Sequence, residues 1–173
     1  MTTLNIELQD EQLLRAIDGL LQMLQQPREL LDEIGGKLES NVQLRWDSKT
    51  DPNGQPWAPL SPATVAIYES DWFVERNPEF KGGIPGSLLQ RTNRLRQSLA
   101  YNVGPDWIDL GTSRQVPGKS QPTWQIGVLH EWGTKTMPRR GLLVADPDTG
   151  RLGAEDQGDV LAIVSRMLGD ALS

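Results

Sequence analysis

The spacing of apolar residues in the first 46 positions restricts the fold more than any other feature of the sequence. Apolar side chains recur there every three or four residues, which is the period of an amphipathic α-helix. Pro27 divides the pattern, and it either kinks one long helix or opens a second helix as its first residue. We therefore expect a helical hairpin or one long kinked helix over residues 1–46. The apolar positions are Leu13, Leu14, Ile17, Leu20, Leu21 and Leu24, then Leu30, Leu31, Ile34, Leu38 and Val42.

Two adjacent glycines, Gly35 and Gly36, interrupt the second half of this helical pattern. A glycine inside a helix costs about 1 kcal/mol relative to alanine. The pair therefore suggests that another element of the fold approaches the helix closely at this point.

A loop rich in proline and glycine follows the helices, from Asp47 to Pro62. Trp57 and Leu60 are its only large apolar residues. An irregular loop stays ordered only if a side chain anchors it to the rest of the fold. Trp57 is the candidate anchor. Ser61 and Pro62 are typical of an N-cap and a first helical position. We expect a short helix at 62–70 and a further loop at 71–87.

The second half of the chain changes from a helical to an alternating pattern. Two short segments, 99–103 and 107–110, flank the turn sequence Gly104-Pro105-Asp106 and predict a β-hairpin. The apolar run at 125–132 is short enough to be either a strand or a helix. The other expected elements are a helix within 87–98, a short strand at 142–144 and a helix from about 155 to 172.

The length of 173 residues is that of one domain. We expect four consecutive parts within it. They are a helical region (1–46), a loop-rich segment with a short helix (47–87), a helix plus β core (88–150) and a C-terminal helix (151–173).

The scarcity of reactive side chains restricts the chemistry. The chain has no cysteine, which excludes disulfides and thiolate metal sites, and its one histidine, His130, excludes a multi-histidine metal site. A zinc-protease helix would need a second histidine at position 134, where Thr134 stands. We therefore expect no enzymatic activity, no cofactor and no metal. A small hydrolase that uses His130 with a nearby acid is the less favoured alternative.

Charge is unevenly distributed along the chain. Residues 81–145 carry 9 basic and 3 acidic side chains, a net +6, whereas residues 1–50 carry 5 basic and 9 acidic, a net −4. A basic middle between acidic ends suits head-to-tail contacts between copies, or a basic face turned toward nucleic acid. A DNA-contacting adaptor that uses residues 81–145 is therefore a second alternative.

The apolar runs are only a few residues long, and the N-terminus lacks a basic-then-apolar signal sequence. We expect a soluble, intracellular protein without a membrane partner.

Several stretches resemble, in the same order, motifs of the phage virion morphogenesis family, which includes Mu-like and P2-like tail completion proteins. Residues 53–64 (NGQPWAPLSPAT) are similar to its Gly-x-x-Trp-x-x-Leu-Ser-x-x-Thr stretch, and residues 89–98 (LQRTNRLRQS) to its Leu-x-x-Thr-Gly-x-Leu-x-x-Ser element. Residues 108–112 (IDLGT) and 127–133 (GVLHEWG) resemble its strand and histidine segment. Residues 137–143 (MPRRGLL) follow its Pro-x-Arg-x-Phe-Leu pattern.

The resemblance covers about residues 30–170, with two departures from the motifs. Asn93 stands where glycine is usual, and asparagine tolerates the left-handed backbone that glycine would supply. Leu142 stands where phenylalanine is usual. The segments 68–87 and 113–123 are expanded, so loop geometry cannot be carried over.

The resemblance implies an α+β fold with a small antiparallel sheet or barrel. It implies a non-enzymatic virion protein at the head–tail junction (neck or tail end), assembled in the bacterial host cytoplasm and needed to complete tails or join them to heads. The implied partners are further copies in a ring, with a hexamer as one candidate, and neck, connector or tail-tube proteins, besides a passing contact with phage DNA.

Seven residues within or near these motifs are candidates for subunit contact or loop anchoring. For Trp57, His130 and Trp132 we favour buried loop anchors over contact residues. Arg139 and Arg140 would meet an acidic neighbour or line a DNA passage, unless both are simply solvated. The full set is Trp57, Leu60, Thr92, His130, Trp132, Arg139 and Arg140.

Overall fold

Seven helices and one two-stranded sheet make up the described part of the chain, which in this computed structural model comprises residues 11–25, 27–78, 88–89, 94–112 and 123–171. The first helices are α1 (Glu11–Gln25), α2 (Arg28–Ser48), α3 (Pro62–Glu69), α4 (Asp71–Arg76) and α5 (Arg94–Gln97). The elements that follow are β1 (Leu99–Val103), β2 (Ile108–Thr112), α6 (Thr123–Trp132) and α7 (Ala154–Ala171).

The predicted α+β class is confirmed. β1 and β2 pair antiparallel, from Leu99 opposite Thr112 to Val103 opposite Ile108, which is the predicted hairpin. Within the described residues the sheet has only these two strands, so it is the small antiparallel sheet and not the barrel that the resemblance also allowed.

Pro27 separates two helices. α1 ends at Gln25 and α2 begins at Arg28, so Pro27 lies just before the first helical residue of α2. The N–H of Leu31 donates to the carbonyl oxygen of Pro27 (2.8 Å), which starts the hydrogen-bond ladder of α2.

The glycine pair in α2 receives an aromatic ring from the hairpin, as the sequence suggested. A Cβ at Gly35 would lie 2.3 Å from Cδ2 of Tyr101, so only glycine leaves room for this ring. The Tyr101 hydroxyl lies 3.1 Å from Oδ1 of Asp32, to which it donates a hydrogen bond, so the ring is held at both ends. The close approach fixes the hairpin across α2.

The hydrophobic core lies beside α2, which contacts β1, β2 and α7. Its buried members come from helix, loop and hairpin alike. They are Val42, Trp46, Trp57, Leu95, Leu99 and Leu142.

A buried charged group joins α2 to α7. Arg45 forms an ion pair with Asp156, and their side chains are only 6% and 1% exposed. Asn41 donates a second hydrogen bond to Asp156 (2.9 Å), and Arg45 also donates to the carbonyl oxygen of Leu142 (3.1 Å). The pair therefore ties three distant segments together.

Two sequence predictions are wrong. Residues 71–87 do not begin as a loop, because Ser70 accepts a hydrogen bond from the N–H of Phe73 and so caps the additional helix α4. Residues 142–144 do not form a strand, because their N–H groups bind a buried glutamate side chain in place of a neighbouring strand. Residues 79–87 lie outside the described part.

Three further predictions are resolved. The segment 125–132, open between strand and helix, lies in α6. The short helix near 62–70 is α3, and Ser61 caps it by accepting a hydrogen bond from the N–H of Thr64 (3.2 Å). The helix expected within 87–98 is described only as α5, since residues 90–93 are not described.

The glycine contact yields a stability prediction with a matched control. Gly35→Ala forces the Tyr101 ring to move, and we expect it to lower the free energy of unfolding by about 1–3 kcal/mol. Gly158→Ala, at a helical position of α7 with open space around it, should raise it by about 0.5–1 kcal/mol through helix propensity alone. Urea unfolding of both variants measures this, and equal stabilities would contradict the ring contact.

Candidate interaction surface

Trp57 anchors the turn-rich loop after α2. Its side chain is 5% exposed, and its indole Nε1–H donates to the carbonyl oxygen of Gly141 (3.1 Å). Its own N–H donates to the carbonyl oxygen of Lys49 (2.8 Å), and Asp51 accepts from the N–H of Asn53 (2.8 Å) inside the loop. The indole therefore links this loop to a segment 84 residues away.

The carboxylate of Glu131, on α6, organises the segment after that helix. It is 3% exposed and accepts hydrogen bonds from the backbone N–H groups of Leu142 (2.7 Å), Leu143 (3.1 Å) and Val144 (2.9 Å). Arg139 lies 3.5 Å from the same carboxylate and supplies a positive charge. Glu131 lies within the histidine segment of the motifs, but no sequence pattern marked it as the residue that holds 142–144.

Arg140 and Arg139 both bind main chain. Arg140 is 5% exposed and donates to the carbonyl oxygens of Ala58 (2.9 Å) and Pro59 (3.0 Å). Arg139 donates from Nε to the carbonyl oxygen of Glu131 (2.8 Å). The interpretation of Arg140 as a solvated residue is wrong, because its side chain is buried and donates to main-chain carbonyl groups. The placement of both side chains favours loop anchoring.

His130 is mostly enclosed and lies beside Arg140, whose N–H donates to the His130 carbonyl oxygen (2.8 Å). Its Nδ1 is buried and has no hydrogen-bond partner among the described residues. Burial, and then the positive charge of Arg140, lower the pKa of His130 to about 4. A base this weak is poorly suited to abstract a proton near neutral pH.

The outer face of α6 is apolar and exposed. Trp124, Val128 and Trp132 recur every four residues and are 51%, 46% and 55% exposed. The expectation that Trp132 is a buried anchor is wrong, since the helical spacing places it on this face with Trp124. We call these three residues the α6 stripe.

A groove of about 380 Å³ runs beside the α6 stripe, between α6 and the hairpin. Leu99 and Thr112 of the hairpin line one side of it, and Gly127 and Val128 of α6 line the other. Solvent-exposed apolar residues beside a concave apolar surface are characteristic of protein contact sites. The groove and the stripe together are the candidate interaction surface.

The tryptophans divide into two groups. Trp46 and Trp57 are buried in the core, whereas Trp72, Trp107, Trp124 and Trp132 are each more than half exposed. Exposed tryptophan is costly in a protein without partners, and tryptophan is enriched where interfaces bind most strongly.

Leu60 and Thr92 are the remaining candidates. Leu60 is half-buried, in the same loop as Trp57. Thr92 lies outside the described residues, as does Asn93. Among the residues that the structure describes, no group of three or more His, Cys, Asp or Glu side chains could hold a metal ion. Nor is any helix there long and apolar enough to cross a membrane.

The fold and this surface define an α+β protein whose irregular loops are held by buried polar side chains and whose α6 presents tryptophan to solvent. The model of the phage virion morphogenesis family matches residues 8–169. The chain therefore belongs to that family, and the membership supports a role in phage virion assembly. No curated protein and no solved structure shows significant similarity to it.

Glu131 provides a prediction for the segment that it holds. Glu131→Gln replaces one acceptor oxygen by an N–H₂ group, which leaves a buried backbone N–H facing a donor. We expect a loss of about 2–4 kcal/mol in the free energy of unfolding. Glu75→Gln, at an exposed glutamate of α4, should change it by less than about 0.5 kcal/mol. Urea unfolding of both variants distinguishes the two, and similar values would show that the carboxylate is dispensable.

The environment of His130 predicts a pH dependence of stability. Its pKa is about 4 in the folded chain and about 6.5 in an unfolded one. The unfolded state therefore binds the proton more readily, so stability present above pH 6.5 is lost as the pH falls toward 4. Between pH 7 and pH 5 this amounts to about 2 kcal/mol. His130→Gln should lose less stability over that interval than the wild type, as measured by urea unfolding at both pH values. An unchanged pH dependence in the variant would contradict the assignment.

Proposed function

We propose that this chain is a non-enzymatic structural protein of a phage or prophage virion. It acts at the head–tail junction, where it completes the tail or joins it to the head, and it works as a ring of identical copies. It assembles in the bacterial host cytoplasm and resides at the neck or tail end of the virion. Neck, connector or tail-tube proteins are its other partners.

The exposed α6 stripe is the observation that carries this proposal. Two tryptophans and a valine on one helix face form a surface that water solvates poorly, and covering it releases free energy in proportion to the apolar area buried. The family membership indicates that the covering partner belongs to a virion. An assembly protein needs such a contact surface.

The state of His130 favours a structural role over the alternative of a hydrolase. The charged group that shifts its pKa is the cation Arg140, whereas a general base needs an acid to orient and stabilise its protonated form. Its free Nδ1 is enclosed. These features favour a structural role for His130 over that of a catalytic base.

The described cations of residues 81–145 favour protein assembly over a DNA-contacting adaptor. Arg96 pairs with Asp47 (2.6 Å), and Arg139 and Arg140 bind main chain in the loop network. Three of the described arginines in the basic segment are thus already engaged within the chain. A DNA surface would instead present such side chains to phosphates.

A complementation experiment tests the proposal. Deleting the gene from the phage that encodes it should leave full heads and free tails unjoined in electron micrographs, and the wild-type chain supplied from a plasmid should restore infectious particles. Val128→Glu should fail to restore them, because a charge interrupts the apolar stripe.

Ile67→Glu is the matched control, since Ile67 is an aliphatic residue of α3 with 52% exposure outside this surface. It should complement like the wild type. Normal particles after the deletion would refute the proposed role, and equal behaviour of the two glutamate variants would remove the α6 stripe from it.

A further inference from the structure

A second apolar stripe lies exposed on α1. Ile17, Leu21 and Leu24 follow the i, i+4, i+7 spacing of one helix face, and they are 39%, 47% and 72% exposed. α1 packs against α7, yet this face remains open to solvent. We call these residues the α1 stripe. Each copy of the chain therefore carries two different apolar helix faces.

The two stripes match in length. With a rise of 1.5 Å per residue, the α1 stripe extends over about 10 Å and the α6 stripe over about 12 Å. The groove beside α6 is concave, and α1 is an exposed, convex helix. Helix-in-groove packing buries such a pair of faces together.

We propose that α1 of one copy docks on the α6 stripe, in the groove beside α6, of a second copy of this chain. The inference rests on the proposed ring and identifies the surfaces that close it. Because the two faces differ, the contact is head-to-tail. Repetition of a head-to-tail contact gives a closed ring when the rotation between copies permits it.

Charge favours this pairing over contacts between like faces. Residues 1–25 carry four acidic side chains and one basic, a net −3. Of the described cations in residues 81–145, Arg96, Arg139 and Arg140 are engaged within the chain, which leaves Arg94 and Lys135 for a partner. Asp18 is exposed beside the α1 stripe, and Arg94 and Lys135 are exposed on segments adjoining α6. Two α1 faces would bring acidic groups together, which is unfavourable.

The absence of cysteine from the chain makes the contact directly testable. The full-length double variant Leu21→Cys/Val128→Cys, purified and mildly oxidised, should form a ladder of covalent oligomers on a non-reducing gel. A mixture of the two single variants should stop at the covalent dimer, because each supplies only one reactive face. Ile67→Cys/Val128→Cys is the control and should stay monomeric.

Three results would overturn the proposal. The first is a single variant that cross-links to itself, which would indicate a contact between identical faces. The second is a double variant that remains at monomer mass. The third is cross-linking of the Ile67→Cys control to the same extent.

A non-covalent measurement separates this inference from the proposed function. Leu21→Glu and Val128→Glu should each sediment as monomers, and their mixture should form a dimer through the one intact contact. If both variants fail to support phage assembly but their mixture stays monomeric, the virion role stands and the α1–α6 contact is wrong. If the mixture dimerises while the gene proves dispensable for head–tail joining, the contact stands and the role is wrong.

Discussion

The buried ion pair between Arg45 and Asp156 is the interaction on which the other contacts depend. Removing two charges from water is costly, and the pair is tolerated because further hydrogen bonds surround it. Asn41 supplies one of them to the carboxylate, and the carbonyl oxygen of Leu142 accepts another from the guanidinium. Loss of either charged partner would leave the other buried without compensation. α2, α7 and the segment after α6 are therefore held as a unit.

This constraint reaches the interaction surface through a single residue, Leu142. The carbonyl oxygen of Leu142 binds Arg45, and its N–H binds the carboxylate of Glu131 on α6. The buried acid Glu131 thus holds α6 near its C-terminal end, while Trp124 and Trp132 of the same helix remain exposed to solvent. The helix that exposes these tryptophans is therefore positioned by the buried charged side chains of Glu131, Arg45 and Asp156.

Local features were predictable from the sequence, and long-range ones were not. Pro27, the Ser61 cap and the hairpin turn act over a few residues, so pattern alone located them. The strand predicted at 142–144 failed because the partner of its N–H groups is a side chain eleven or more residues away. Trp132 was misplaced because its exposure depends on whether 125–132 is helix or strand, and apolar content does not distinguish the two. The role of Trp57 as an anchor was predictable, whereas its partner, Gly141, was not.

The residues that anchor the irregular loops bind mainly main-chain atoms. The side chains of Trp57, Glu131 and Arg140 all bind backbone carbonyl or N–H groups. Every residue type provides these groups, except that proline lacks the N–H. Side chains on the contacted positions can therefore drift during evolution while the architecture persists. A single inserted or deleted residue between 131 and 142 would disrupt the architecture. It would displace all three backbone N–H groups from which Glu131 accepts hydrogen bonds. Divergence in such a chain should accumulate as substitutions and avoid length changes in that segment.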